Sequence, residues 1–130
     1  MGSSYTDYHG YGFWSRDYFI EQLAGDVAAV IENLPTKDQW LVDLAAHWKL
    51  QASGIFGGWV HLKLDDFLSN DERRSTLRAL IRVVTERRDR DDLVCQTGVL
   101  LLRLLDGSLT TDAASPLDYM VGQIRDDKKA

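Results

Sequence analysis

Five stretches of this chain set apolar residues three and four positions apart, and that spacing commits most of the polypeptide to amphipathic helix. The first runs from Arg16 to Leu34, with Phe19, Leu23, Val27, Val30, Ile31 and Leu34 on one face. Ser15 is placed as its N-cap, Trp14 and Phe19 as a hydrophobic staple, and Pro35 as its stop. The second opens at Thr36, where Thr36 and Gln39 match a capping box. Trp40, Leu41, Leu44 and Trp48 form its apolar face, and Ser53, Gly54, Gly57 and Gly58 end it.

The third helix is expected over residues 70–88, with Ser69 and Glu72 as a second capping box and Leu77, Leu80, Ile81 and Val84 as its buried stripe. The fourth spans Leu93–Leu105, capped by Asp92 and closed by Gly107. It is apolar nearly all round, as a central helix must be, and Gly98 invites a close helix approach. The order Ser115, Pro116, Asp118 starts a fifth, with Leu117, Met120, Val121 and Ile124 facing inward.

Two segments resist this reading. In residues 59–64, Val60, Leu62 and Leu64 alternate with Trp59, His61 and Lys63, which is strand periodicity. One short strand without a partner is not stable. The segment is therefore expected as an extended loop packed on the helices, with one helical turn over Asp65–Leu68. Residues 1–14 crowd Tyr5, Tyr8, Tyr11, Phe13 and Trp14 around Gly10 and Gly12, and read as an aromatic arm. Residues 126–130 read as a frayed tail. The resulting expectation is an all-α, single-domain bundle of about five helices with an irregular, glycine-flanked middle loop. A chain of 130 residues needs no disulfide or metal staple to hold such a core.

Cys95 is the only cysteine, which excludes an internal disulfide and a cysteine-rich zinc site. A lone thiol fits a reducing compartment, so a cytoplasmic location is expected. The opening residues do not follow the pattern of a secretory signal. The most apolar run, Leu93–Leu105, is shorter than the roughly 20 residues that cross a bilayer and contains Arg103, so no membrane association is expected. Net charge is −5, and residues 1–70 hold nine acidic groups against four basic ones. Such a surface attracts basic partners and repels phosphate backbones.

No catalytic, metal or cofactor constellation is read from the residues. His9, His47 and His61 lie apart in sequence, with only Asp43 one turn before His47. Asp65-Asp66 is the one adjacent acidic pair in an irregular segment, and reads first as an acidic turn before a helix. Gly54, Gly57 and Gly58 lack the Lys-Ser/Thr of a phosphate loop. Arg73, Arg74, Arg78, Arg82, Arg87, Arg88 and Arg90 are interrupted by Asp71, Glu72, Glu86, Asp89, Asp91 and Asp92, the pattern of a solvated face with local ion pairs. The aromatics beside the acidic turn are different, because large rings near carboxylates suit a basic protein partner.

The stretches YTDYHGYGFWSRD and HWKLQASGIFGGWVHLKLDDFLSNDERR together resemble a family of small bacterial proteins of unknown activity. Its members pair a Y-x-x-x-G-x-G-F-W-x-R-D opening with H-W-x-L-Q-A, a glycine-flanked loop, L-D-[ED]-F-L and D-E-R. The resemblance covers about the first two thirds of the chain and carries no catalytic residues with it. In size and acidity the chain also resembles immunity proteins, which neutralise bacterial toxins by direct binding. The expectation is a non-enzymatic, antitoxin-like inhibitor of a basic toxin or effector domain, binding through Tyr8, Tyr11, Trp59, His61, Asp65 and Asp66. Two alternatives are a small enzyme or ligand-binding module with a pocket around His47, Trp48, Trp59 and Asp65, and a nucleic-acid-binding regulator using helix 70–88.

Overall fold

The second to fourth predicted helices and most of the first form, and with them a β-hairpin that an all-α reading does not contain. In the computed structural model, residues 2–55 and 60–109 are described. In chain order they form β1 (Ser3–Tyr8), β2 (Tyr11–Arg16), α1 (Asp17–Glu32), α2 (Gln39–Ala52), α3 (Leu64–Phe67), α4 (Asp71–Glu86) and α5 (Leu93–Asp106). The predicted fifth helix and the tail lie outside the described residues.

The all-α expectation is thus corrected in the segment read as an arm. β1 and β2 pair antiparallel, from Ser3 opposite Arg16 to Tyr8 opposite Tyr11. Ser4, Thr6 and Tyr8 point into the protein, while Ser3, Tyr5 and Asp7 are half-buried on the other side. This is strand alternation carried by small polar residues, which an apolar pattern search passes over. The two-residue turn holds His9 at φ 53° and Gly10 at φ 87°. Positive φ at both central positions is the geometry whose twist matches a hairpin, and histidine is among the side chains that enter this region. On the outer face Tyr5 and Trp14 lie opposite each other with ring centroids 5.4 Å apart.

Because β2 runs directly into α1, the predicted N-cap and staple do not form. Ser15 is a buried strand residue, and extended Arg16 occupies the cap position without a side-chain cap bond. The Asp17 amide instead donates to the Gly2 carbonyl at 3.1 Å, so the start of β1 closes the start of α1. Trp14 engages Tyr5 rather than Phe19. The Thr36–Gln39 box is also replaced. Helix α2 begins at Gln39, and the Gln39 side-chain Nε2 donates to Asp43 Oδ1. For α4 the cap shifts by one residue: the Asn70 side chain, not Ser69, accepts from the Arg73 amide at 2.8 Å. Asparagine caps as well as serine does, and Asn70 has the extended backbone a cap requires. The caps of α5 are as expected, with Asp92 accepting from Val94 at 2.7 Å and Gly107 left-handed at φ 83°.

The core lies between α1, α2, α4 and α5, with the hairpin laid against one side. Trp48, Phe13, Ile20, Leu23, Ile31, Leu44, Leu77, Ile81, Leu100 and Leu101 are its largest fully buried side chains. Helix α5 touches α1, α4 and both strands, which explains why its apolar positions nearly encircle it. Gly98 meets its expectation. A Cβ there would collide with the Thr85 methyl of α4 and crowd Leu23 of α1.

Candidate partner-binding site

The site is built on the segment that shows strand periodicity without a sheet. Val60, Leu62 and Leu64 are buried, and His61 and Lys63 face solvent, so the alternation is realised. No strand supplies the missing hydrogen bonds on the α2 side; side chains of α2 do. His47 Nε2 donates to the His61 carbonyl at 2.7 Å, Trp48 Nε1 donates to the Leu62 carbonyl at 2.9 Å, and Gln51 Oε1 accepts from the His61 amide at 2.8 Å. The three lie on the inner side of α2 at i, i+1 and i+4, so one helix turn satisfies three backbone groups that would otherwise be orphaned beside the core.

On its opposite side the segment runs along β1 in the same direction. The Val60 amide donates to Ser4 Oγ at 3.2 Å, and five residues further on the His9 amide donates to Asp65 Oδ1 at 3.1 Å. Ser4 Oγ also donates to Asp17 Oδ1 at 2.5 Å, so one buried hydroxyl joins β1, α1 and the extended segment. Lys63, left-handed at φ 55°, breaks the extension and turns the chain into α3.

The result is a fixed projection. Asp65 of α3 holds the hairpin turn by the His9 amide, and the His9 ring lies over the Tyr8 ring with centroids 3.8 Å apart. His9 Nε2 is 3.7 Å from the same carboxylate. Residues 56 positions apart thereby share one end of the molecule, with Tyr11, Asp65 and Asp66 exposed around the turn and His61 exposed on the segment leading to it. Tyr8 is only 4% exposed, so it supports the turn from within instead of offering surface. Trp59 lies outside the described residues. Sequence reasoning weighed His9 only as a metal ligand and did not place it in this site; the His-Gly pair between two alternating runs was the available signal.

The polar groups of the alternative pocket are engaged in this framework. His47 and Trp48 hold the segment through its carbonyls, and Asp65 holds the hairpin. Among the described residues no three His, Cys, Asp or Glu side chains gather closely enough to hold a metal ion.

The arginines of α4 are mostly tied to the chain. Arg73 stacks over Trp40 at 5.1 Å and donates to the Phe67 carbonyl, Arg74 pairs with Asp71, and Arg78 pairs with Asp106 of α5. Just after α4, Arg88 bridges Asp26 of α1 and Asp92 at 2.8 and 2.9 Å. The hydrogen bond to Asp26 holds the Arg88 pKa above its ordinary value, and the Val94 amide, followed by Arg88, holds Asp92 below the usual carboxylate range. Burial pushes the Cys95 thiol up, with Asp92 adding to it, as expected of a core thiol. Glu21 is also raised, by burial first and by Asp17 second.

Among the described residues no helix is long and apolar enough to cross a membrane. No family model, curated protein or solved structure matches this chain.

Proposed function

We propose that this chain is a non-enzymatic protein-binding domain of the immunity-protein kind, covering a basic toxin or effector domain with the hairpin turn and the adjoining acidic turn. The observation that carries the reading is the bond from the His9 amide to Asp65, which locks an exposed turn onto an exposed acidic segment. A turn ordered before contact loses little entropy on binding, and a tyrosine on its rim delivers area with few rotatable bonds. Tyr11 is 42% exposed and is the anchor in this reading. Asp65, Asp66 and the acidic excess of residues 1–70 steer a basic partner.

The test is stoichiometric binding to the product of the adjacent gene, followed by calorimetry at rising salt. One-to-one binding is expected, weakening as salt rises. Tyr11→Ala should cost about tenfold or more in affinity, and Asp66→Lys should slow association by about tenfold at low salt. Salt-independent binding, or full affinity in both variants, refutes this surface. No binding to any neighbouring product refutes the reading itself.

A further inference from the structure

We infer that the cleft between the hairpin turn and the α4–α5 pair binds a carboxylate carried on a short apolar stem. The cleft has a volume of about 300 Å³. Its lining combines the polar side chains of Tyr11, Arg74, Ser75 and Arg78 with the buried Tyr8 and Leu104. This size is at the lower end of ligand pockets, so only a small group or the end of a longer chain fits.

Charge and hydrogen bonding select the ligand. Arg74 and Arg78 stand one helical turn apart on the same face of α4. Asp106 also lines the cleft and pairs with Arg78 at 2.5 Å, leaving one guanidinium in excess within a chain whose net charge is −5. The carboxylate that pairs with Arg74 is Asp71, whose side chain is 87% exposed. An exposed i,i+3 pair is worth little, so an oxyanion bound in the cleft displaces it. Ser75 and Tyr11 also line the cleft, and neither hydroxyl has a hydrogen-bond partner among the described residues. Two free hydroxyls beside a planar guanidinium suit a carboxylate, whose two oxygens accept several donors at once. The apolar part of the lining selects for an alkyl stem.

This inference shares Tyr11 with the protein-partner surface but does not rest on that reading, since a free carboxylate tests it. The intact chain is titrated with N-acetyl-leucine, with N-acetyl-leucinamide and phenyl phosphate as comparison ligands, and amide resonances are followed by NMR. Saturable shifts are expected at Tyr11 and Ser75 with a Kd of about 1 mM, and the neutral amide should bind about tenfold more weakly. Arg74→Gln should weaken the carboxylate about tenfold. Asp71→Asn, which removes the competing carboxylate, should tighten it about twofold. That gain is an effect no loss of folding can imitate. No saturable shift, equal binding of the amide, or indifference to both substitutions overturns the proposal. Preference for phenyl phosphate over the carboxylate overturns the assignment of the ligand class.

Discussion

Gly98→Ala offers the sharpest check on how the helices pack. In an isolated helix alanine is favoured over glycine by about 1 kcal/mol, so a chain whose α5 were loosely packed would gain stability. Here the new methyl lands on the Thr85 Cγ2 methyl, with Leu23 Cδ1 3.4 Å away and Ile81 Cγ2 3.8 Å away on other sides. Thr85 and Leu23 belong to α4 and α1, so α5 cannot move off one without pressing the other. Overpacking of this kind costs about 1–3 kcal/mol, and the net expected loss is roughly 0–2 kcal/mol after the propensity gain. Thr85→Ser removes the colliding methyl and keeps the hydroxyl that donates to the Arg82 carbonyl. In that background Gly98→Ala should be neutral or stabilising. Urea unfolding of the four proteins in a double-mutant cycle measures the coupling, expected at about 1 kcal/mol or more in favour of the double variant. A stabilised Gly98→Ala single variant, or additive effects, would refute the reasoning.

Four further outcomes follow from the same structure. Trp48→Phe leaves the Leu62 carbonyl without its donor and a gap beside the core, and should lower unfolding stability by roughly 2–4 kcal/mol in urea titrations; a loss below about 0.5 kcal/mol would show that the α2 clamp is dispensable. Asp65→Ala should speed hydrogen exchange at the His9 amide by about tenfold while global stability falls by less than about 1 kcal/mol; unchanged exchange would mean that the hairpin turn is held by something else. Asp92→Asn keeps a capping side chain and removes the charge that faces Arg88. Because the Asp92 pKa is held down in the folded state, its charge stabilises above the ordinary carboxylate value and that stability is lost as pH falls through the folded value. The wild-type advantage should therefore be present at neutral pH and vanish under acid. Glu21 has the opposite sign, since its raised pKa removes stability as pH rises through the carboxylate range, so Glu21→Gln should stabilise at neutral pH. Parallel pH–stability curves for these two variants would contradict both assignments.

The helical stripes, the α5 caps and the Gly98 approach were legible because each depends on residues close in sequence or on one helix face. The capping motifs upstream were legible only approximately. Ser15, Thr36 and Ser69 all have capping chemistry, yet the first is taken into β2, the second precedes α2 by a full turn, and Asn70 displaces the third. Local propensity ranks candidates for a cap; the path by which the chain enters the helix chooses among them. The hairpin was hidden because two of the three inward residues of β1 are the polar Ser4 and Thr6, buried by neighbours that no sequence window contains.

For the candidate site, Tyr11, His61, Asp65 and Asp66 could be nominated from composition, because bulky rings and carboxylates in irregular chain are visible in the sequence. Their convergence could not, since it rests on the contacts of Ser4 with Val60 and of His9 with Asp65, each across 56 residues. Among the described residues, sequence alone determined which segments are helical and which side of each is apolar, because those properties follow from periodicity along one strand of polymer. Tertiary structure decided that residues 61 and 62 find their hydrogen bonds on helix α2, that Val60 finds its own on Ser4 of β1, and that Tyr8 faces inward while Tyr11 faces out. Backbone polar groups beside a core must be satisfied by whatever lies nearest in space, and nearness in space is a property of the fold.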